Sequence, residues 1–158
     1  NNYSLNLGAE YKNFALSVLL TGASGYDIYI GGEAQSPLQN GFTGYDYQMD
    51  YWTPENTGSA YPRITDGGFN PNNSRYSDFW LRDAKHIRLK NVNLSYTLPR
   101  RKENPVFDEV RFSVTGVNLF VIKNYDEDFD PQISGDSADQ GWIYPQTKSI
   151  SFGLNVSL

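Results

Sequence analysis

The sequence predicts an all-β fold: an antiparallel transmembrane β-barrel segment with long loops at one end. Three observations predict it. Five segments alternate apolar with polar residues, and some are unusually long. The connections between them alternate in size, short on one side and long on the other. Their polar faces are made of Ser, Thr, Asn and Gly, as expected of a wall that lines water.

The first strand is expected over about residues 2–11, with Tyr3, Leu5, Leu7, Ala9 and Tyr11 sharing a face. A two-residue turn at Lys12-Asn13 leads into the second, about 14–30. There Phe14, Leu16, Val18 and Leu20 alternate, Gly22–Gly25 interrupt, and Tyr26, Ile28 and Ile30 resume. A loop over about 31–79 follows, rich in Gly, Pro, Asn, Tyr and Asp. It far exceeds the ~12–15 residues beyond which connections in compact domains become uncommon.

The third strand is expected over about 80–98, within FWLRDAKHIRLKNVNLSYTLP. Ile87 and Leu89 alternate with polar neighbours, the phase slips by one residue at Lys90-Asn91, and Val92, Leu94, Tyr96 and Leu98 resume it. Such a slip predicts a β-bulge. A moderate turn over 99–109 precedes the fourth strand, about 110–122, where Val110, Phe112 and Val114 share a face. A second long loop runs over about 123–146. The last strand, about 147–158, alternates Ile150, Phe152, Leu154, Val156 and Leu158 with Ser149, Ser151, Gly153, Asn155 and Ser157.

Short turns at one end and long loops at the other are the pattern of outer-membrane barrels, whose turns are periplasmic and loops extracellular. On that pattern loops 31–79 and 123–146 face outside and the C-terminus lies in the periplasm. Five strands cannot close such a barrel, for which bacteria use an even number of at least eight. NNYSLNLGAEY at the start also reads as mid-strand, so an upstream portion is expected. No run of ~18 apolar residues exists to form a membrane helix, which does not bear on strands of ~9–11 residues.

Composition fits the same picture. Tyr, Phe and Trp number 12, 9 and 3 against one Met and no Cys, which suits strands with aromatics at surfaces rather than a packed aliphatic interior. With no Cys there are no disulfides and no thiol chemistry. The net charge of -5 carries no basic footprint, so no nucleic acid is expected as partner. A soluble β-sandwich, such as a carbohydrate-binding module, also has strands with one apolar and one polar face and is the alternative. A glycan-processing enzyme is a third reading.

Four stretches in this order carry a resemblance: DYWTPENTGSAYPR (50–63), SDFWLRDAKHIRLKNVNLSYTLP (77–99), VRFSVTGVNLFVIKNYDEDFDPQ (110–132) and GWIYPQTKSISFGLNVSL (141–158). They resemble the C-terminal part of SusC/RagA-family TonB-dependent outer-membrane transporters. The resemblance implies a 22-stranded barrel of which this chain supplies about the last five strands. It implies TonB-powered import of bulky nutrients, oligosaccharides first and peptides second, without catalysis. The implied partners are the plug and the rest of the barrel, a SusD-like surface lipoprotein, the TonB complex through an N-terminal region absent here, and outer-membrane lipid. One departure is the C-terminal residue, Leu158, where such barrels commonly end in an aromatic.

Candidate chemistry is sparse. Asp126, Asp128 and Asp130 could offer oxygens to a Ca2+ ion, but the stretch lacks the EF-hand pattern, and no cofactor is expected. His86, the only histidine, has no nucleophile elbow beside it, and no spacing singles out a glycosidase carboxylate pair. Tyr51, Trp52, Tyr61 and Phe69 in the first loop, with Trp142 and Tyr144 in the second, are the candidate substrate or partner contacts. Their ring faces can stack on sugars or pack at an interface. Phe79, Trp80 and Tyr26, next to strand ends, are candidates for the aromatic girdle of a barrel, and Trp80 is assigned to it. Arg63 is expected to satisfy loop carbonyls or a carboxylate.

Overall fold

A computed structural model describes residues 1–38, 43–65, 70–99, 108–125, 129–132 and 146–157. The chain divides into two compact units. One, the sheet unit, comprises Asn1–Gly25, Lys85–Lys123 and Gln146–Leu158; the other, the loop unit, comprises Tyr26–Ala84 and Asn124–Pro145.

The sheet unit is an antiparallel meander of five long strands: β1 (Asn2–Tyr11), β2 (Phe14–Ala23), β5 (His86–Thr97), β6 (Glu109–Lys123) and β7 (Ser149–Ser157), paired in that order. At ~3.3 Å per residue β5 extends about 40 Å, more than the ~30 Å of a hydrocarbon core. Lys12, at φ +54°, makes the tight turn between β1 and β2. Asn13 closes the same end by donating its side-chain N–H to the Thr97 carbonyl at 2.7 Å.

Pairing sets apolar side chains in rows across the sheet. Tyr11, Phe14, Tyr96, Phe112 and Leu154 form the row nearest the short turn. Ala9, Leu16, Leu94, Val114 and Phe152 form the next, then Leu7, Val18, Val92, Gly116 and Ile150. The opposite face carries small polar groups: Asn93 donates to Thr115 Oγ1 at 2.6 Å, and a Cβ on Gly153 would collide with Ser113 Oγ at 2.5 Å.

The bulge lies where the phase slip places it. β2 pairs Leu19 with Asn91 and Leu20 with Leu89, leaving Lys90 as the extra residue. Without it Ile87 and Leu89 would turn to the polar face, because a one-residue shift reverses every side chain beyond it. A second step follows in β6, where Asn118 takes a left-handed φ of +51°. Between the same two rows β2 runs from Val18 to Leu20, β5 from Val92 back to Leu89, and β6 from Gly116 to Phe120. Each strand thus spends one residue more than its neighbour.

Gly22 in β2 is required by a close approach. The Tyr3 ring from β1 lies over it and donates its hydroxyl to the His86 carbonyl of β5 at 3.0 Å. A Cβ there would collide with that ring and stand 2.6 Å from the His86 oxygen.

In the loop unit, β3 (Asp27–Tyr29) pairs with β4 (Leu81–Asp83) in a separate two-stranded sheet. This corrects two expected strands. The segment 14–30 is two strands in two sheets, parted after Ala23 where Gly25 adopts φ +72°. The segment 80–98 likewise divides at Ala84, whose N–H donates to the Tyr26 carbonyl at 3.1 Å.

Region 31–79 is also more than a connection. Short 3-10 turns at Gly32–Ala34, Asp46–Met49 and Asp78–Trp80 wrap a small core of Ile30, Ala34 and Trp80, with Tyr29, Tyr45, Tyr61 and Phe129 packed against it. Trp80 is therefore not a girdle residue. It is 3% exposed, edge-on to Phe79 at 4.9 Å between ring centroids and 6.3 Å from Tyr61. The Ser77 hydroxyl caps its 3-10 turn by accepting from Phe79 N–H, which fixes the ring's entry into the core.

Candidate functional site

Two surfaces can do chemistry or recognition, one in each unit. The first is the apolar face of the sheet. Leu7 is 52% exposed, Phe112 48% and Phe152 82%; most of the rows is open, with Val18, Val92 and Tyr96 half-buried and Gly116 buried at their centre. Monomeric soluble proteins rarely expose contiguous apolar patches of this size. In a sandwich these side chains would be packed beneath a second sheet. The row Tyr11, Phe14, Tyr96 and Phe112, in which Phe14 and Tyr96 stand 4.7 Å apart, has the position and composition of an interfacial aromatic girdle. The sequence expectation placed a girdle at Trp80, not at this row.

The second is a cleft of about 640 Å3 in the loop unit, lined by Trp52, Ser59–Arg63, Asn70, Asn72, Asn73, Arg75, Ser77, Phe79 and Trp80. Its walls are built by local hydrogen bonding. Tyr51 and Tyr61 form a parallel bridge, with Trp52 N–H donating to the Tyr61 carbonyl at 3.0 Å and Tyr61 N–H to the Asp50 carbonyl at 3.1 Å. The Asp50 carboxylate clamps this loop, one oxygen accepting from Asn56 Nδ2 and the other from Ala60 N–H, both at 3.0 Å. Those donors, the Ala60 amide above all, hold its pKa below the usual carboxylate value.

The opposite wall is an Asx turn. Asn70 Oδ1 accepts from Asn72 N–H at 2.9 Å, and the Asn70 carbonyl accepts from the Ser74 hydroxyl at 2.7 Å. Asn73 ties the walls together by donating its side chain to the Arg63 carbonyl at 2.8 Å, while its own carbonyl accepts from Gln35 Nε2 at 2.7 Å. Below the cleft, burial and then the nearby Glu33 carboxylate raise the pKa of Tyr45.

Of the candidate contacts, Trp52 and Tyr61 line the cleft, and Tyr51 supports it from behind as the bridge partner. Phe69, Trp142 and Tyr144 lie outside the described residues, as do Asp126 and Asp128. Asp130 is buried and its Oδ1 accepts from Gln132 N–H at 2.9 Å, the geometry of a turn around Pro131. Among the described residues no cluster of three or more His, Cys, Asp or Glu could hold a metal. Arg63 is exposed in the cleft, and among the described residues its guanidinium has no loop carbonyl or carboxylate as partner. Sequence reasoning missed Arg75, Asn72 and Phe79 as cleft residues. The run Asn70-Pro71-Asn72-Asn73, a turn signal in itself, could have pointed to the wall they share.

No family model matches the chain. Among curated proteins it is 31% identical over 161 residues to TonB-dependent receptor P26 of Formosa agariphila, which covers 94% of this chain and 16% of that protein. It is 24% identical over 163 residues to TonB-dependent receptor P3 of the same organism, covering 96% and 16%. The chain thus spans about one-sixth of the length of the curated relatives it matches.

Its fold matches solved chains of the RagAB peptide importer. Against the open-open state the TM-score is 0.72 at 22% identity, covering 99% of this chain and 17% of that one. Against the closed-closed state it is 0.71 at 21%, covering 98% and 17%. An antiparallel sheet with an open apolar face, a fold like that of the RagAB chains and 31% identity with a receptor along nearly its whole length have one joint meaning: the chain belongs to the TonB-dependent receptors.

Proposed function

We propose that this chain forms part of the barrel wall and of the extracellular mouth of an outer-membrane, TonB-dependent importer of bulky nutrients. The observation that carries the reading is the set of apolar rows on the sheet, exposed and edged by aromatics as a lipid-facing band would be. The five strands hold a wet lumen behind their polar face. Regions 31–79 and 123–146 lie outside the cell, and the C-terminus is periplasmic. The chain performs no chemical step and holds no cofactor. A plug and further strands complete the barrel, TonB moves the plug, and a SusD-like lipoprotein covers the mouth.

Oligosaccharides are the first cargo class, because the loop unit presents exposed aromatic rings beside amide side chains, the partners that sugar faces and hydroxyls require. Peptides are the second reading, favoured by the fold shared with chains of the RagAB peptide importer. The test is a deletion of the gene region encoding this chain, followed by growth on glycans or on peptides as sole carbon source. Loss of growth on glycans alone is expected; loss on peptides alone selects the second reading, and unchanged growth on both refutes import. Protease added to intact cells should cut within 31–79 and leave the 99–109 turn untouched, whereas the reverse pattern would overturn the orientation.

A further inference from the structure

We propose that the loop-unit cleft is a binding site for an acidic saccharide, a sugar chain bearing carboxylate or sulfate groups. The proposal rests on the reading of the chain as the mouth of a saccharide importer and adds the charge class of the cargo. It starts from an imbalance. The chain carries 18 acidic against 13 basic residues, yet among the described residues the cleft lining includes two arginines, Arg63 and Arg75, and no Asp or Glu.

Both arginines are exposed, and neither guanidinium has a hydrogen-bond or ion-pair partner among the described residues. Only their backbone carbonyls are engaged, by Asn73 Nδ2 at 2.8 Å and by the Tyr29 hydroxyl at 3.5 Å. Two described carboxylates near these segments are committed elsewhere: Asp50 accepts from Asn56 and Ala60, and Asp78 from the Ser77 hydroxyl at 3.2 Å. A planar guanidinium offers a fork of donors that matches a carboxylate or a sulfate oxygen pair.

Beside these cations stand two rings with open faces, Trp52 at 38% exposure and Phe79 at 45%. Phe79 is held edge-on to the buried Trp80, so its position is fixed before anything binds. A ring braced in this way loses little freedom on binding. Asn72 contributes an amide whose side chain has no partner among the described residues and suits a sugar hydroxyl. Two forked cations, flat apolar surfaces and an amide match an anionic pyranose better than a neutral one, which would leave the guanidinia unpaired. An acidic peptide would satisfy the cations but has no flat apolar face for Trp52 and Phe79.

The experiment is calorimetric titration of the detergent-solubilised receptor containing this chain. The probes are an oligogalacturonate (carboxylate), a sulfated galactan oligosaccharide (sulfate), cellotetraose (neutral) and an oligoglutamate (acidic peptide). Either or both acidic saccharides should bind at least about tenfold more tightly than cellotetraose and the peptide, and raising NaCl from about 50 to about 500 mM should weaken them alone. The arm that binds better names the group as carboxylate or sulfate.

Arg63→Gln with Arg75→Gln should remove that preference, bringing the acidic saccharides to within about twofold of cellotetraose in the same variant. Trp52→Ala should weaken every saccharide alike, while the two arginines retain the salt dependence. Equal affinity for neutral and acidic sugars, tighter binding of the peptide, or full affinity in the double arginine variant each overturns the proposal. Heat-modifiable migration of the same preparation reports the barrel. Its loss would fail the importer reading, whereas an assembled receptor that binds no acidic saccharide fails this inference alone.

Discussion

In the sheet unit aromatic and aliphatic side chains stand outward in rows, whereas in the loop unit the same residue types turn inward around Trp80. Of the buried hydrophobic residues Ala23, Ile28, Ile30, Ala34, Trp80, Ala84 and Tyr125, only Ala23 belongs to the sheet. The loop unit therefore owes its stability to water, which drives its rings together. The sheet unit exposes what an aqueous fold would hide, which the proposed lipid-facing wall accounts for. Alternation of residues tells which side chains share a face; what covers that face has to be read from burial.

Substitutions can break this contrast, and the largest effect belongs to the inward-facing ring. Trp80→Ala should destabilise the loop unit by ~3–5 kcal/mol, the usual cost of emptying a core aromatic site. Limited proteolysis should then cut within 31–79 at lower protease concentration, while heat-modifiable migration of the barrel stays normal.

An outward-facing residue should behave in the opposite way. Leu94→Arg, at a position 45% exposed, would be nearly neutral on a soluble protein but costs ~2–4 kcal/mol near a bilayer midplane. Reduced assembly into outer-membrane fractions is expected, and wild-type assembly would remove the lipid from the account of the sheet.

Gly22→Val sharpens the contrast within the sheet itself. By forcing the Tyr3 ring off its glycine and breaking the bond to the His86 carbonyl, it should destabilise the barrel by ~1–3 kcal/mol, seen as a lower midpoint of heat-modifiable unfolding. Gly22→Ala should do the same more weakly.

The smallest effect is a pH dependence confined to the loop unit. Because the folded pKa of Asp50 lies below its ordinary value of 3.8, its clamp is fully present above that pH and is lost as pH falls through the depressed value. Trp52 fluorescence should change in this acidic range in the wild type and not in Asp50→Asn.

Much of the sheet was legible because a period of two survives in the sequence wherever one face is apolar. The Lys90 step was legible as well, since one extra residue reverses the phase and leaves a visible slip. The matching step in β6 left no trace. Relative to β2 it adds two residues, and two residues restore the phase, so Gly116 and Phe120 look like ordinary neighbours on one face.

The break between β2 and β3 was hidden for a similar reason. Tyr26, Ile28 and Ile30 continue the alternation across Gly25, although Ile28 and Ile30 pack into two separate small cores of the loop unit. Trp80 misled because an aromatic at a strand end fits both a girdle and a core. The cleft was half legible: Trp52 and Tyr61 stand out as loop aromatics, but Arg63, Arg75 and Asn72 meet only through side-chain bonds to backbone, such as that of Asn73 to Arg63, which have no periodicity to read.

The staircase of extra residues from β2 through β5 to β6 works like a dislocation in a crystal lattice. Below it the rows are in step, above it they are in step again, and the misfit is confined to a short belt through Lys90 and Asn118. Insertions and deletions in the loop-bearing half therefore need not propagate into the lower rows. Such a belt lets the half of the sheet beyond it change length without disturbing the rows nearest the short turn, so one wall can carry different loops without being rebuilt.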